Sequence, residues 1–268
     1  MPDSSKTSEV NGRLWGARAE DWANHQERVH APVYRAVLDA ARVGAGTRYL
    51  DVGCGSGMAV NMASARGASA TGLDAAEDLL KIASSRTPAA DFHAGDLEEL
   101  PFGDGAFDVV SGINAFQYAG NPVAALSEAR RVVGDRGTVV VVTWGEPDGM
   151  EAARLVAAIR PFMPPPPPGA PGPFALSQEG ALRGFAESAG LEPVEIFDVD
   201  SPFEYPDIET AVRGLGSAGV AVKAMELAGE DAVEEAYRSA LEEFLQADGR
   251  VRVSASFRCL VARPATAM

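Results

Sequence analysis

The stretch Tyr49-Leu50-Asp51-Val52-Gly53-Cys54-Gly55-Ser56-Gly57 decides how this chain is read. Arg48 to Val52 has the composition of a buried strand, and it runs into glycine at every second position. A helix is expected directly behind it, through Met58 to Ala65. Glycine at alternate positions removes three Cβ atoms where the strand turns sharply into the helix. A ligand can then approach the backbone N–H groups at the positive end of that helix. Strand, glycine loop and helix together describe the first crevice of an open α/β sheet.

The residues of the loop narrow the choice of ligand. A dinucleotide fingerprint needs small residues at its first, third and sixth positions. Here those are Gly53, Gly55 and Met58, and Met58 would hold a pyrophosphate away. A phosphate-cradling loop ends in Gly-Lys-Ser/Thr, and no lysine follows here. Asp51 places a carboxylate two residues before Gly53, which disfavours an anion and favours a ligand with positive charge. S-adenosylmethionine (SAM) carries an ammonium and a sulfonium and no phosphate. At these residues the sequence resembles the class I SAM-dependent methyltransferases, whose first motif is similar to Leu50-Asp51-Val52-Gly53-Cys54-Gly55-Ser56-Gly57. The resemblance implies SAM as cofactor, held in part by Asp51, Gly53 and Gly55.

The chain has 268 residues, enough for one large α/β domain with an appended cap. Its net charge of −15 leaves no basic stripe for nucleic acid, and a neutral or cationic small molecule fits better. Two cysteines, Cys54 and Cys259, form no disulfide framework or metal pattern. Three histidines, His25, His30 and His93, are too scattered for a zinc site, so no metal is expected. No signal peptide is visible, and no run reaches the ~18 apolar residues of a membrane span. The expectation is a cytoplasmic protein with reduced thiols. No internal repeat appears.

Residues 1–12 are polar and expected to be a disordered tail. Trp15, Arg18 and Trp22 follow at helical spacing, so residues 13–46 are expected to form N-terminal lid helices over the cleft. A plain helix packed on the core is the other reading. Pro32 opens a second helix with Val33, Val37, Leu38 and Ala41 on its buried side. Asp74 ends the second strand, where a carboxylate can accept from both hydroxyls of a ribose or cap the next helix.

Gly95-Asp96-Leu97-Glu98-Glu99-Leu100-Pro101-Phe102 resembles the same family's adenine segment. The resemblance implies that Asp96 accepts from the adenine amino group and that the Leu97 N–H meets a ring nitrogen. Phe107 to Asn114 is the fourth strand; its tip implies a carbonyl for the SAM ammonium at Asn114. Trp15, Phe116, Gln117 and Tyr118 are assigned to the substrate pocket. Asn121-Pro122 opens a helix that Gly134 stops, and Gly137 to Trp144 is a buried parallel strand. Five consecutive prolines from Pro164 make a stiff spacer or wall. Ser177 is expected to cap the next helix, Leu191 to Phe203 to form the sixth strand, and Val251 to Ala262 the last. Two amphipathic helices within 206–248 read either as a cap over the substrate or as packing on the outer face of the sheet.

The expected fold is α/β: a Rossmann-like seven-stranded sheet, six strands parallel and the last antiparallel, flanked by helices, with N-terminal and C-terminal helical caps. Residues 47–205 and 249–268 make the SAM-binding core, and 206–248 a cap insertion. The resemblance, closest to the small-molecule, ubiquinone-methyltransferase-like (type 11) branch, implies an enzyme of the methyltransferase class. Such an enzyme moves the sulfonium methyl to an oxygen, nitrogen or carbon atom of a small organic molecule. A role in secondary metabolism and a homodimer are compatible with it. A SAM-binding relative that catalyses a cyclisation or rearrangement is the alternative. His25, His30 and Tyr34 are the nearest candidates for a general base, and none is assigned.

Overall fold

The computed structural model describes residues 6–165 and 172–265. Its sheet is built from β1 (Arg48–Val52), β2 (Ser69–Asp74), β3 (Asp91–Ala94), β4 (Val109–Ile113), β5 (Thr138–Trp144), β6 (Leu191–Asp200) and β9 (Ser256–Pro264). The spatial order is β3-β2-β1-β4-β5-β9-β6. β9 runs antiparallel to both β5 and β6, and the other six strands share one direction. This is the expected seven-stranded sheet.

Parallel strands with helices on both faces need apolar side chains on both faces. β5 shows why its valine run is nearly continuous. Val139 and Val141 enter one core with Leu126, Val132 and Leu182, while Val140 and Val142 enter the other with Val33 and Val37. Each fully buried valine is worth roughly 1.5–3 kcal/mol. Crossing helices α4 (Met58–Ala65), α5 (Glu77–Arg86) and α6 (Pro122–Val133) return the chain after β1, β2 and β4. α6 starts as expected: the Asn121 side chain accepts from Ala124 N at 3.1 Å, and Gly134 ends the helix with φ +67°. All strand tips that could bear on a ligand therefore meet at one edge, with a crevice where the chain reverses from β1 to β4.

A second layer lies over that edge. It comprises α1 (Thr7–Gly16), α2 (Ala19–Asp21), a wide π turn (Trp22–Gln26), a 3-10 turn (Glu27–His30) and α3 (Ala31–Ala40). From the C-terminal half come α7 (Ala152–Ala158), α9 (Ile208–Gly216), α10 (Gly219–Ala228) and α11 (Glu230–Leu241), while α8 (Glu179–Ser188) packs beside α6 on the face of the sheet. A two-stranded ribbon of β7 (Phe203–Tyr205) and β8 (Val251–Val253) carries α9 to α11.

Several expectations change here. Residues 7–12 are helical, because Leu14 and the glycines of α1 give that helix a surface to pack on. Gly16 and Arg18 break the lid into short turns, so Trp15 and Trp22 belong to different segments. Leu191 to Phe203 is two strands, separated at Ser201-Pro202, and Val251 to Ala262 likewise divides into β8 and β9. The insertion holds three helices, and its Val212, Ala221 and Val233 share one core with β5. Ser177 caps nothing: α8 begins at Glu179 behind Gln178, and the buried Ser177 instead offers its carbonyl to Arg258. Part of the proline run, residues 166–168, lies outside the described residues. Among the described residues no helix is long and apolar enough to cross a membrane.

Candidate functional site

Gly53, Gly55 and Gly57 have φ of +71°, +57° and +84°, a region that side-chain-bearing residues rarely enter. A Cβ on Gly53 would stand 2.6 Å from the Ala115 Cβ, so the loop and the β4 tip close on each other. Asn114, at that tip, is itself left-handed at φ +51°, and such strain in a non-glycine residue clusters at binding sites. Its side chain accepts from Gln117 Nε2 at 3.1 Å.

The amides of the loop are mostly spent inside the protein. Gly53 N and Cys54 N donate to the Leu73 carbonyl at 2.7 and 3.0 Å. Gly55 N donates to Asp74 Oδ2 and Ala76 N to Asp74 Oδ1, both at 2.8 Å. Asp74 therefore ties the loop to the end of β2; α5 has no side-chain cap. Met58 N, at the start of α4, donates to Glu27 Oε1 at 3.2 Å. The expectation of a ligand lying on loop N–H groups is corrected: backbone carbonyls of Leu73 and Cys54 and the carboxylates of Asp74 and Glu27 hold most of them.

Those carboxylates give the crevice its charge. Asp51 is 3 % exposed and accepts from Ser111 Oγ at 2.6 Å. The Ser111 hydroxyl being committed there, Tyr49 OH donates to Ser111 Oγ, also at 2.6 Å. Burial pushes Asp51 up to about 7, with Glu27 and Asp74 adding repulsion. Burial also raises Asp74, against the backbone donors that favour its charge. Glu27 is raised by burial too, although Ser56, Arg86 and Met58 N oppose the shift. Ser56 Oγ donates to Glu27 Oε2 at 2.5 Å and Arg86 Nη1 at 2.6 Å. Arg86 Nη2 reaches back to the Ala23 carbonyl at 2.7 Å. Three carboxyl groups thus surround one loop with one guanidinium among them, and a cation placed there would favour their ionised forms.

The N-terminal segment touches the remaining expected residues. Ser8 Oγ donates to Asp96 Oδ2 at 2.8 Å, and Glu98 N to Asp96 Oδ1 at 2.9 Å. Leu97 packs on the core beneath. Asn11 Nδ2 donates to the Tyr118 carbonyl at 2.8 Å. Gly12 presses on the Ala75 carbonyl so closely that a Cβ there would collide. Trp15 lies edge-on to Tyr118 at 5.5 Å and to Trp22 at 5.0 Å, against Gly219 of α10. Phe116 is the exception among the expected pocket residues. It is 1 % exposed and fills the core under β4, where Gly112 leaves room for its ring.

The sequence reading did not assign Glu27, Ser56, Arg86 or Trp22 to the site, nor an aromatic cluster beyond Trp22. His30 lies at its centre, 5.3 Å from Phe257, 5.5 Å from Phe203, 6.3 Å from Tyr34 and 6.1 Å from Trp22. Trp144, at the tip of β5, stacks on Phe257 at 4.9 Å. His30 Nδ1 donates to the Gln26 carbonyl at 3.2 Å, which leaves the lone pair on Nε2. Burial lowers His30 to about 4, so the ring is neutral at physiological pH. His25 instead faces α9 and pairs with Asp21. Among the described residues no group of three metal-type side chains comes together.

The fold is thus a doubly wound sheet with an acidic glycine-loop crevice. The methyltransferase-domain family matches residues 50–141. The malonyl-[acyl-carrier protein] O-methyltransferase of Erwinia pyrifoliae is 28% identical over 219 residues, covering 82% of this chain and 79% of that one. Other curated relatives are matched over about half of their length. A SAM-dependent methyltransferase of Geobacter sulfurreducens, solved with S-adenosyl-L-homocysteine, superposes with a TM-score of 0.59 at 16% identity, over 94% of this chain and 98% of that one. The [4+2]-cyclase SpnF superposes with a TM-score of 0.63 at 18% identity, over 98% of each chain. At such identities these two likenesses speak for the fold. Residues 50–141 match a methyltransferase domain, the chain is similar over most of its length to a methyltransferase, and SAM is its cofactor.

Proposed function

We propose that the acceptor of the SAM methyl is a small, neutral, largely apolar molecule held against the aromatic cluster around His30 and Trp144. The observation that carries this is the cluster itself: six rings, Trp22, His30, Tyr34, Trp144, Phe203 and Phe257, link the lid to the tip of β5 without a charged side chain among them. In this reading Asp51, Gly53, Gly55 and Asn114 surround the methionyl end of SAM, Asp74 its ribose, and Asp96 and Leu97 its adenine. Trp15, Gln117 and Tyr118 border the seam between lid and cap.

SAM supplies the activated methyl. The chain's part is to hold acceptor, methyl and sulfur in line, and such positioning is worth up to roughly 7–11 kcal/mol. His30 Nε2, fixed as an acceptor by the Gln26 carbonyl, takes a hydrogen bond from the nucleophile and orients it; its lowered basicity makes it a weak general base. Oxygen, nitrogen and carbon acceptors all remain compatible with this site. A cytoplasmic location, a place in secondary metabolism and a homodimer are further parts of the proposal. The buried free thiols of Cys54 and Cys259 support the first.

The test is methyl-labelled SAM with a panel of neutral aromatic hydroxy compounds and amines. Label appearing in an acceptor supports the proposal, and label confined to charged, carboxylate-bearing acceptors overturns it. The second reading is a cyclisation or rearrangement with SAM retained, as the fold shared with a [4+2]-cyclase allows. An acceptor consumed while all label stays on SAM selects that reading.

A further inference from the structure

SAM carries a carboxylate beside its ammonium, and a carboxylate entering a cleft that already holds Glu27, Asp51 and Asp74 needs a donor. The glycine loop has few to offer. Gly53 N and Cys54 N serve the Leu73 carbonyl, Gly55 N serves Asp74, Gly57 N serves the Cys54 carbonyl and Met58 N serves Glu27. Arg86 is committed to Glu27, Ser56 and the Ala23 carbonyl.

One donor beside the loop is unspent. Trp22 Nε1 is sealed from solvent and has no hydrogen-bond partner, alone in this among the buried side-chain nitrogens and oxygens of the described residues. It lies 3.3 Å from the point that a Cβ on Gly55 would occupy. The indole is fixed in place: Trp15 meets it edge-on at 5.0 Å, and His30 stacks at 6.1 Å with planes 27° apart. Its backbone opens the π turn Trp22–Gln26, a form that is rare in general and frequent at functional sites. An unmade buried hydrogen bond is costly, and a ligand seated at Gly55 would supply the missing acceptor.

We propose that the Trp22 indole N–H donates to the carboxylate of bound SAM, a bond made as the lid closes over the cofactor. Trp22 thereby separates ligands that carry the carboxylate from those that lack it. The assignment rests on SAM occupying the glycine-loop cleft.

Calorimetry of SAM and of decarboxylated SAM, on the native protein and on Trp22→Phe, tests it. Phenylalanine keeps an aromatic ring and removes the N–H. SAM affinity should fall roughly 10- to 100-fold while that of decarboxylated SAM is unchanged. Equal weakening of both ligands would reduce Trp22 to a packing role and overturn the proposal, as would an unchanged SAM affinity. If Trp22→Phe does not fold, indole-¹⁵N labelling of the native protein answers the question, with Trp15→Phe and Trp144→Phe assigning the Trp22 resonance. A downfield shift with SAM and none with decarboxylated SAM is expected; the same response to both overturns the bond. Native protein that binds neither ligand would bring down the cofactor reading itself, and the Trp22 bond with it.

Discussion

Around β1 to β4, the groups of the cleft reach one another across short stretches of chain. Asp74 meets Gly55 at a separation of 19 residues, and Asp51 meets Ser111 at 60. In the shell above them the partners come from opposite ends of the sequence. Arg18 pairs with Glu230, 212 residues away; Tyr205 OH donates to Gln26 Oε1 at 179, and Ser201 Oγ to the Val29 carbonyl at 172. The first region follows from strand order, since parallel strands bring each tip to the same edge whatever covers it. The second exists only once the rest has folded. The proposed acceptor site belongs to the remote half, and most of the proposed cofactor contacts to the local one.

Four changes should separate the halves, in falling order of effect. Gly53→Val drives a side chain into Ala115 from a left-handed backbone, so SAM binding should be lost by more than the ~100-fold that about 2.7 kcal/mol represents. Calorimetry on protein with native circular dichroism reads this; normal binding would mean that the loop does not hold the cofactor. Glu27→Ala comes next, because Glu27 joins the halves. Its loss strands Arg86, Ser56 Oγ and Met58 N and should cost about 2–3 kcal/mol in urea unfolding. A change within error would show that the lid closes without this latch.

The third test is pH. A cation binds the ionised form of Asp51, whose carboxyl is pushed up to about 7. SAM affinity should therefore fall roughly tenfold from pH 8 to pH 6, and that of uncharged-sulfur S-adenosylhomocysteine by less. The sign reverses for the free protein. Its folded carboxyl lies above the ordinary aspartate value of 3.8, so this group's stability contribution is full below that value and is lost as pH rises through about 7. A flat affinity profile would remove Asp51 from the cation site. The smallest effect is expected in the shell: Arg18→Ala gives up partly exposed pairs with Asp21 and Glu230 and should cost no more than about 1 kcal/mol in the same unfolding assay.

The legible part of the site is the part with period or motif. Asp51, Gly53, Gly55 and Asp74 stand at strand tips that hydrophobic runs announce, and the structure gathers all four at one loop. Phe116 was read outward because it follows a strand tip, yet the three-residue turn Phe116–Tyr118 swings its ring into the core. Glu27 carried no signal: a single glutamate among His25, Gln26, Arg28 and His30 has no period that points to Arg86 or Ser56. The lid was readable as apolar and aromatic, but its division at Gly16 into short turns was not, because tertiary contacts overrode the helical pattern of Trp15 and Trp22.

Order and composition alone determined the seven-stranded sheet, the glycine crevice and its preference for a cation. Side-chain period, glycine at the turns and a carboxylate before the loop are local properties that any neighbour reads the same way. Only the tertiary structure decided that Gly55 N and Met58 N are spent on Asp74 and Glu27, that His30 is neutral, and that the Trp22 N–H has no partner beside Gly55. Those facts depend on burial and on which residues the folded chain brings into contact. A sequence carries that information only through the sum of all its contacts.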